Sequence, residues 1–201
     1  MIVIERRSAL AAHPRMSSEP VAPTTDQTGL VLSERRSLSV LQVSAFAPTT
    51  AQATTALATA LALKAPANNR ISGDAGKSLR SVGPGVWLVV GESGLVPGAA
   101  TLGAQLADYA TVVDLSHARC ALQLRGAPAL RTLAKYCGLD LDPSVFPTGC
   151  ATNTRFGHIG MHLTRVDDQP TYELLVFRGY AEFVFEALCD AAAEFGLRVE
   201  P

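Results

Sequence analysis

Charge is scarce in this sequence. Asp, Glu, Lys and Arg make up only 17% of it, below the roughly one quarter usual for a soluble domain. The 17 basic residues barely balance the 18 acidic ones. A nucleic-acid duplex is disfavoured as the main partner, because neutralising phosphates takes a basic excess. A globular surface short of charge is one that another chain can cover. Long apolar runs are missing as well. Nothing approaches the roughly 20 residues needed to span a bilayer, and the apolar start of the chain meets Glu5, Arg6 and Arg7 too soon to be a signal peptide. Cysteine is limited to Cys120, Cys137, Cys150 and Cys189. None forms a Cys-x-x-Cys pair, so they are expected to be buried thiols in a reducing cytoplasm.

What is present is apolar substance: 48% of 201 residues, ample for one large domain or two closely packed halves. Residues 1–30 are expected to form an irregular tail, because residues 8 to about 30 are rich in Ser, Thr, Pro and Ala without a sustained apolar period. Such a tail either frays or wraps a partner. Residues 31–201 are expected to form a single α+β domain with possible halves 31–116 and 117–201.

The first half reads as a strand over Leu38–Phe46, then a helix from Pro48–Thr50 to about Lys64 with Ala53, Ala56, Leu57, Ala60 and Leu61 inward. Residues 65–76 read as loop. Strands follow at Ser78–Val82 and Val86–Val90, joined by a hairpin turn at Gly83-Pro84-Gly85. A helix over Pro97–Tyr109 then leads into the strand Thr111–Leu115. The second half repeats this order. Arg119–Arg125 alternates cleanly, and Gly126-Ala-Pro128 opens a helix with Leu130, Leu133, Ala134 and Cys137 buried. Strands are expected near Cys150–Phe156, Ile159–Arg165 and Thr171–Phe177. The last helix, Gly179 to Phe195, has the inward stripe Tyr180, Phe183, Val184, Ala187, Leu188, Ala191 and Phe195. The fold class expected is therefore α+β, two βαββα-like halves with helices packed on mostly antiparallel sheets.

Searches for chemistry fail at the spacing. Gly73-Asp-Ala-Gly76-Lys77-Ser78 resembles the end of a phosphate-binding loop. The required first glycine is replaced by Ile71, and a turn follows instead of a helix. His158 and His162 lack converging ligands for zinc and read as polar residues on the solvent or interface side of a half-buried strand. Asp114, Ser116 and His117 are too close on an extended chain to assemble a triad; a corner with hydrogen-bonded turn side chains is expected there. Glu182, Glu186, Asp190 and Glu194 form an acidic row at four-residue spacing on the last helix. They read either as a solvated face or as a contact for a basic partner. Arg119, Arg155 and Arg178, at strand ends, are candidates for bidentate contacts with a partner.

Several segments together resemble one family. They are Val112-Val-Asp-Leu-Ser-His-Ala-Arg119, Leu122-Gln-Leu-Arg-Gly126, Leu133-Ala-Lys-Tyr-Cys-Gly-Leu-Asp-Leu141, Phe146-Pro147, Ala151-Thr-Asn-Thr-Arg155, Thr171–Phe177, Phe183 and Phe195-Gly196. Pro84-Gly-Val-Trp-Leu88 and Arg7-Ser-Ala-Leu10 fit its character upstream. This set is similar to the gamma subunit of heterotetrameric sarcosine oxidase, itself related in fold to the amino-terminal part of glycine-cleavage aminomethyltransferase, a folate-binding-like architecture.

The resemblance implies a cytoplasmic bacterial complex of alpha, beta, gamma and delta subunits. That complex demethylates sarcosine to glycine, makes hydrogen peroxide and passes one carbon to tetrahydrofolate. FAD, FMN, NAD and zinc are expected in the partner subunits, with none in this chain. No catalytic, cofactor-binding or metal residue is carried over. A gamma-like subunit of N-methylglutamate dehydrogenase is an alternative. So is a stand-alone folate-binding aminomethyltransferase-like protein, which would need a carboxylate for the pterin; Glu173 and Asp114 are the candidates.

Overall fold

The computed structural model describes residues 7–14 and 29–200, so most of the tail expected over 1–30 lies outside the described residues. In chain order the first elements are strand β1 (Leu30–Arg35), β2 (Leu38–Ala45), helix α1 (Thr50–Leu61), β3 (Ile71–Gly73), β4 (Lys77–Gly83) and β5 (Val86–Glu92). Helix α2 (Ala99–Gln105), β6 (Ala110–Asp114), β7 (Arg119–Arg125), α3 (Ala129–Ala134) and β8 (Ala151–Phe156) follow. The chain closes with β9 (Ile159–Asp167), β10 (Thr171–Phe177), α4 (Ala181–Ala192) and β11 (Leu197–Glu200).

These elements form two compact units, each with its own sheet. An inserted unit takes Ser37–Ser116 with Gly149–Thr152; a terminal unit takes the chain up to Arg36, His117–Thr148 and Asn153 onward. The α+β class with mostly antiparallel sheets holds: among the described strand pairs only β1 and β11 run parallel.

In the inserted unit the strand order is β3-β4-β5-β2-β6. Register places Leu79, Val89 and Leu41 in one cross-strand row and Trp87 beside Val43 in the next. Both rows meet Ala53, Leu57 and Leu61 of α1 and Leu102 and Leu106 in one apolar cluster. Positions 53, 57 and 61 recur every fourth residue, which keeps them on one helix face. Each fully buried leucine contributes about 2 kcal/mol of transfer free energy. Helix α1 ends where Ala62 turns left-handed (φ 52°) and returns its N–H to the Ala58 and Thr59 carbonyls. The Lys77 ammonium donates to the Leu61 carbonyl at 2.8 Å, satisfying another free helix end group.

The terminal unit has the strand order β11-β1-β7-β10-β9-β8. Glycines let its edge close. A Cβ on Gly29 would lie 2.1 Å from the Gly196 carbonyl oxygen, and one on Gly126 would lie 2.5 Å from the Gly29 oxygen. Any side chain there would push β1 off its neighbours. Helix α4 buries Ala181, Val184, Phe185, Leu188 and Ala192.

Several expectations need correction. Leu38–Phe46 is β2, but residues 31–35 belong to β1, which pairs with β7 and β11 in the terminal unit's sheet. Strand β11 was not expected, and β3 lies within the stretch read as loop. Both are short and lack a period of their own; a partner strand supplies the ladder. Helix α2 is shorter than Pro97–Tyr109, because a turn at Leu106–Tyr109 redirects the chain into β6. Ala134 is exposed on α3, whose inward side is Ala129, Thr132 and Leu133. Tyr180 and Phe183 are 53% and 57% exposed rather than part of the α4 stripe. Residues 183 and 185 sit about 200° apart around a helix turning 3.6 residues per turn, and the core takes Phe185.

Candidate functional site

The segments that failed as motifs are spent on local structure. The carboxylate of Asp74 accepts the backbone N–H groups of Gly76 and Lys77, closing the β3–β4 turn. The Ser78 hydroxyl donates to the Val90 carbonyl, and Lys77 caps α1. Asp114 Oδ1 accepts the Ser116 N–H at 2.8 Å, and Ser116 Oγ accepts the Val40 N–H at 3.0 Å. That is the expected corner with side-chain hydrogen bonds. Asp114 and His117 are exposed. All four cysteines are buried and free.

The terminal unit carries its polar groups in cross-strand rows. Ser33, Gln123, Glu173 and Thr164 are register partners in one row; Arg35, Ala121, Leu175 and His162 form the next. Side chains alternate faces along each strand, so both rows project from the same side of the sheet. Glu173 is fully buried, and its Oε2 accepts from Arg35 at 2.6 Å and from Gln123 Nε2 at 3.3 Å. An isolated buried carboxylate would be very costly, and this guanidinium offsets that cost. His162 is 2% exposed, its Nδ1 3.0 Å from Asn153 Oδ1. The expectation of a solvent- or interface-facing histidine is therefore wrong for His162, since β9 is buried on both faces from Met161 to Arg165; His158 is exposed at the β8–β9 turn. Of the two candidate carboxylates, Glu173 is already charge-matched and Asp114 serves a turn.

The acidic row on α4 divides. Glu194 pairs with Lys135, which also donates to the Ala191 carbonyl. Glu186 Oε1 lies 3.3 Å from His13 Nε2, and the His13 ring stands edge-on to Phe185 at 4.7 Å. His13, Glu182 and Glu186 bring their ligand atoms within 4.8 Å of one another. The imidazole is packed against Phe185 and bonded to Glu186, which makes the group a clasp holding residues 7–14 to α4.

Outward-facing apolar groups were missed. Phe177, Tyr180 and Phe183 are 46%, 53% and 57% exposed within seven residues of chain. Arg119 lies 3.7 Å from the Phe177 ring centroid, and partial burial lowers its pKa below the ordinary arginine value. Of the three arginine candidates, Arg119 and Arg178 are half-buried and Arg155 is exposed. Only side-chain placement distinguishes these aromatics from core ones.

Two sheets with helices on them, and buried polar rows closed by ion pairing, define an aminomethyltransferase-like α+β protein. The structure matches glycine cleavage system aminomethyltransferase T from Bartonella henselae with a TM-score of 0.63 at 15% identity, over 87% of this chain and 48% of that one. The model of the sarcosine oxidase, gamma subunit family matches residues 44–194, and the chain belongs to that family. It is 30% identical over 190 residues to sarcosine oxidase subunit gamma of Corynebacterium sp. (strain U-96), covering 94% of this chain and 91% of the relative. The gamma subunit from an Arthrobacter species is 32% identical over 143 residues, 70% of each chain. A chain of the heterotetrameric sarcosine oxidase from Corynebacterium sp. U-96, solved in complex with pyrrole 2-carboxylate, superposes with a TM-score of 0.81 at 29% identity, covering 94% of this chain and 96% of that one. No described helix is long and apolar enough to cross a membrane.

Proposed function

We propose that this chain is the non-catalytic gamma subunit of a heterotetrameric, sarcosine oxidase-type complex in the cytoplasm. The observation that carries the reading is the family match across 44–194, together with a shared fold over nearly the whole chain. Its physical complement is a charge-poor chain with exposed Phe177, Tyr180 and Phe183, the composition of a surface that other subunits cover. In this reading the alpha, beta and delta chains hold FAD, FMN, NAD and zinc. They carry out demethylation of sarcosine to glycine, peroxide formation and one-carbon transfer to tetrahydrofolate.

The test is co-expression with those three chains. A stable complex oxidising sarcosine should co-purify with this chain, whereas the chain purified alone should lack flavin absorbance and amine oxidation. A homogeneous preparation of the chain by itself that oxidised a methylated amine, or held stoichiometric flavin, would refute the reading.

A further inference from the structure

Between Arg36 and Lys64 the sequence contains no charged residue, and that run includes the whole of α1, a helix with one face in water. Its outward residues are Ala51, Gln52, Thr55 and Thr59. A solvated helix face is ordinarily furnished with Lys and Glu, which favour helix and solubility; threonine is a poorer helix former. The threonines here also withhold their hydroxyls. Thr54 Oγ1 donates to the Thr50 carbonyl at 2.7 Å, Thr55 to Ala51 at 3.1 Å and Thr59 to Thr55 at 2.9 Å. With each hydroxyl turned back onto the helix, the outward surface is one of methyl groups.

Beside this face lies an open groove of about 440 Å³ lined by Ala51, Gln52, Thr55, Ala56 and Tyr109. Phe46, 42% exposed, sits at the same end, its backbone N–H bonded to the Tyr109 carbonyl at 2.9 Å. Small side chains, concealed hydroxyls, a groove and an exposed aromatic all suit dry, close packing, and none suits an ionic contact.

We infer that the outer face of α1 and its groove are the docking surface for a different subunit of the oxidase complex, which presents an uncharged segment and seats an apolar side chain against Tyr109. This rests on the subunit reading above, since the related solved chain is part of a heterotetramer. The matching chemistry is absence of charge: a lysine or carboxylate of the partner would be buried here without a counter-ion.

The experiment is co-purification of the four-chain complex carrying Thr55→Lys, with Gln52→Lys as a second variant should the first reduce the helical circular dichroism of the chain. Lysine favours helix over threonine, so the folded chain should persist. The expected result is at least about a tenfold loss of recovered complex, with Thr55→Val recovering it in full because valine keeps the methyl surface. Recovery of the unsubstituted complex should change less than about twofold between roughly 0.1 and 0.5 M salt. Lysine variants that assemble as well as the unsubstituted chain would overturn the docking surface and leave the subunit reading standing. A homodimer of the isolated chain that Thr55→Lys dissociates would make a second copy the occupant, which also overturns it. If the unsubstituted chains fail to assemble, both readings fall.

Discussion

Helices α1 and α4 are both 12 residues long, and each buries one side against its own unit. Their outer sides are built on opposite principles. Helix α4 carries Glu182, Glu186 and Asp190, and partners within the chain engage it: His13 at Glu186, Lys135 at the Ala191 carbonyl near its end. Helix α1 has no charge at all and turns its threonine hydroxyls inward. Burial explains the inner faces of both. The outer faces record different surroundings, water and intramolecular ties for α4, a dry contact for α1.

The contrast can be broken or sharpened by substitution. The largest effect is expected at Phe185, fully buried in α4: Phe185→Ala should lower unfolding free energy by about 3–5 kcal/mol. The neighbouring Phe183→Ala should stay within about 0.5 kcal/mol. Urea midpoints of the two variants would read the difference, and equal losses would mean that the core takes both rings. In α1, Leu57→Ala should cost about 2–5 kcal/mol by the same measurement, through lost transfer energy and a cavity.

A smaller effect of opposite sign is expected outside. Thr59→Ala should stabilise the isolated chain by up to about 0.7 kcal/mol, because alanine is the better helix former. A clear loss instead would show that the threonine serves the folded chain itself.

The smallest effect concerns pH. The hydrogen bond from Lys135 holds the Glu194 carboxyl below the usual carboxylate range, with the Lys135 and Arg131 charges acting in the same direction. A carboxyl with a depressed folded-state pKa stabilises the fold above its unfolded value, and that contribution is lost as pH falls through the folded one. An NMR titration of the Glu194 side chain should show a midpoint below the ordinary glutamate range that returns to it in Lys135→Met.

Much of the architecture was legible because its signals are local. The alternation of Arg119–Arg125 located β7 to the residue, the hairpin at Gly83-Pro84-Gly85 joined β4 to β5, and the four-residue spacing of Ala53, Leu57 and Leu61 located α1. The last helix was legible in period but not fully in membership, since hydrophobicity ranks Phe183 and Phe185 alike. The polar rows were illegible: Arg35 and Glu173 stand 138 positions apart, and no spacing rule connects them. His162 reads as an outward residue in any alternating pattern, and only the burial of β9 on both faces places it inside.

The sequence by itself determined the kinds of element, their order, the thiols kept inside and the uncharged run that became α1. Each follows from short-range periodicity and composition. Tertiary structure alone decided that β1 joins β7 and β11, that an arginine meets a buried glutamate, and which aromatic rings face outward. Those outcomes depend on total burial and hydrogen-bond satisfaction among residues far apart in the chain, quantities that no local window of sequence contains.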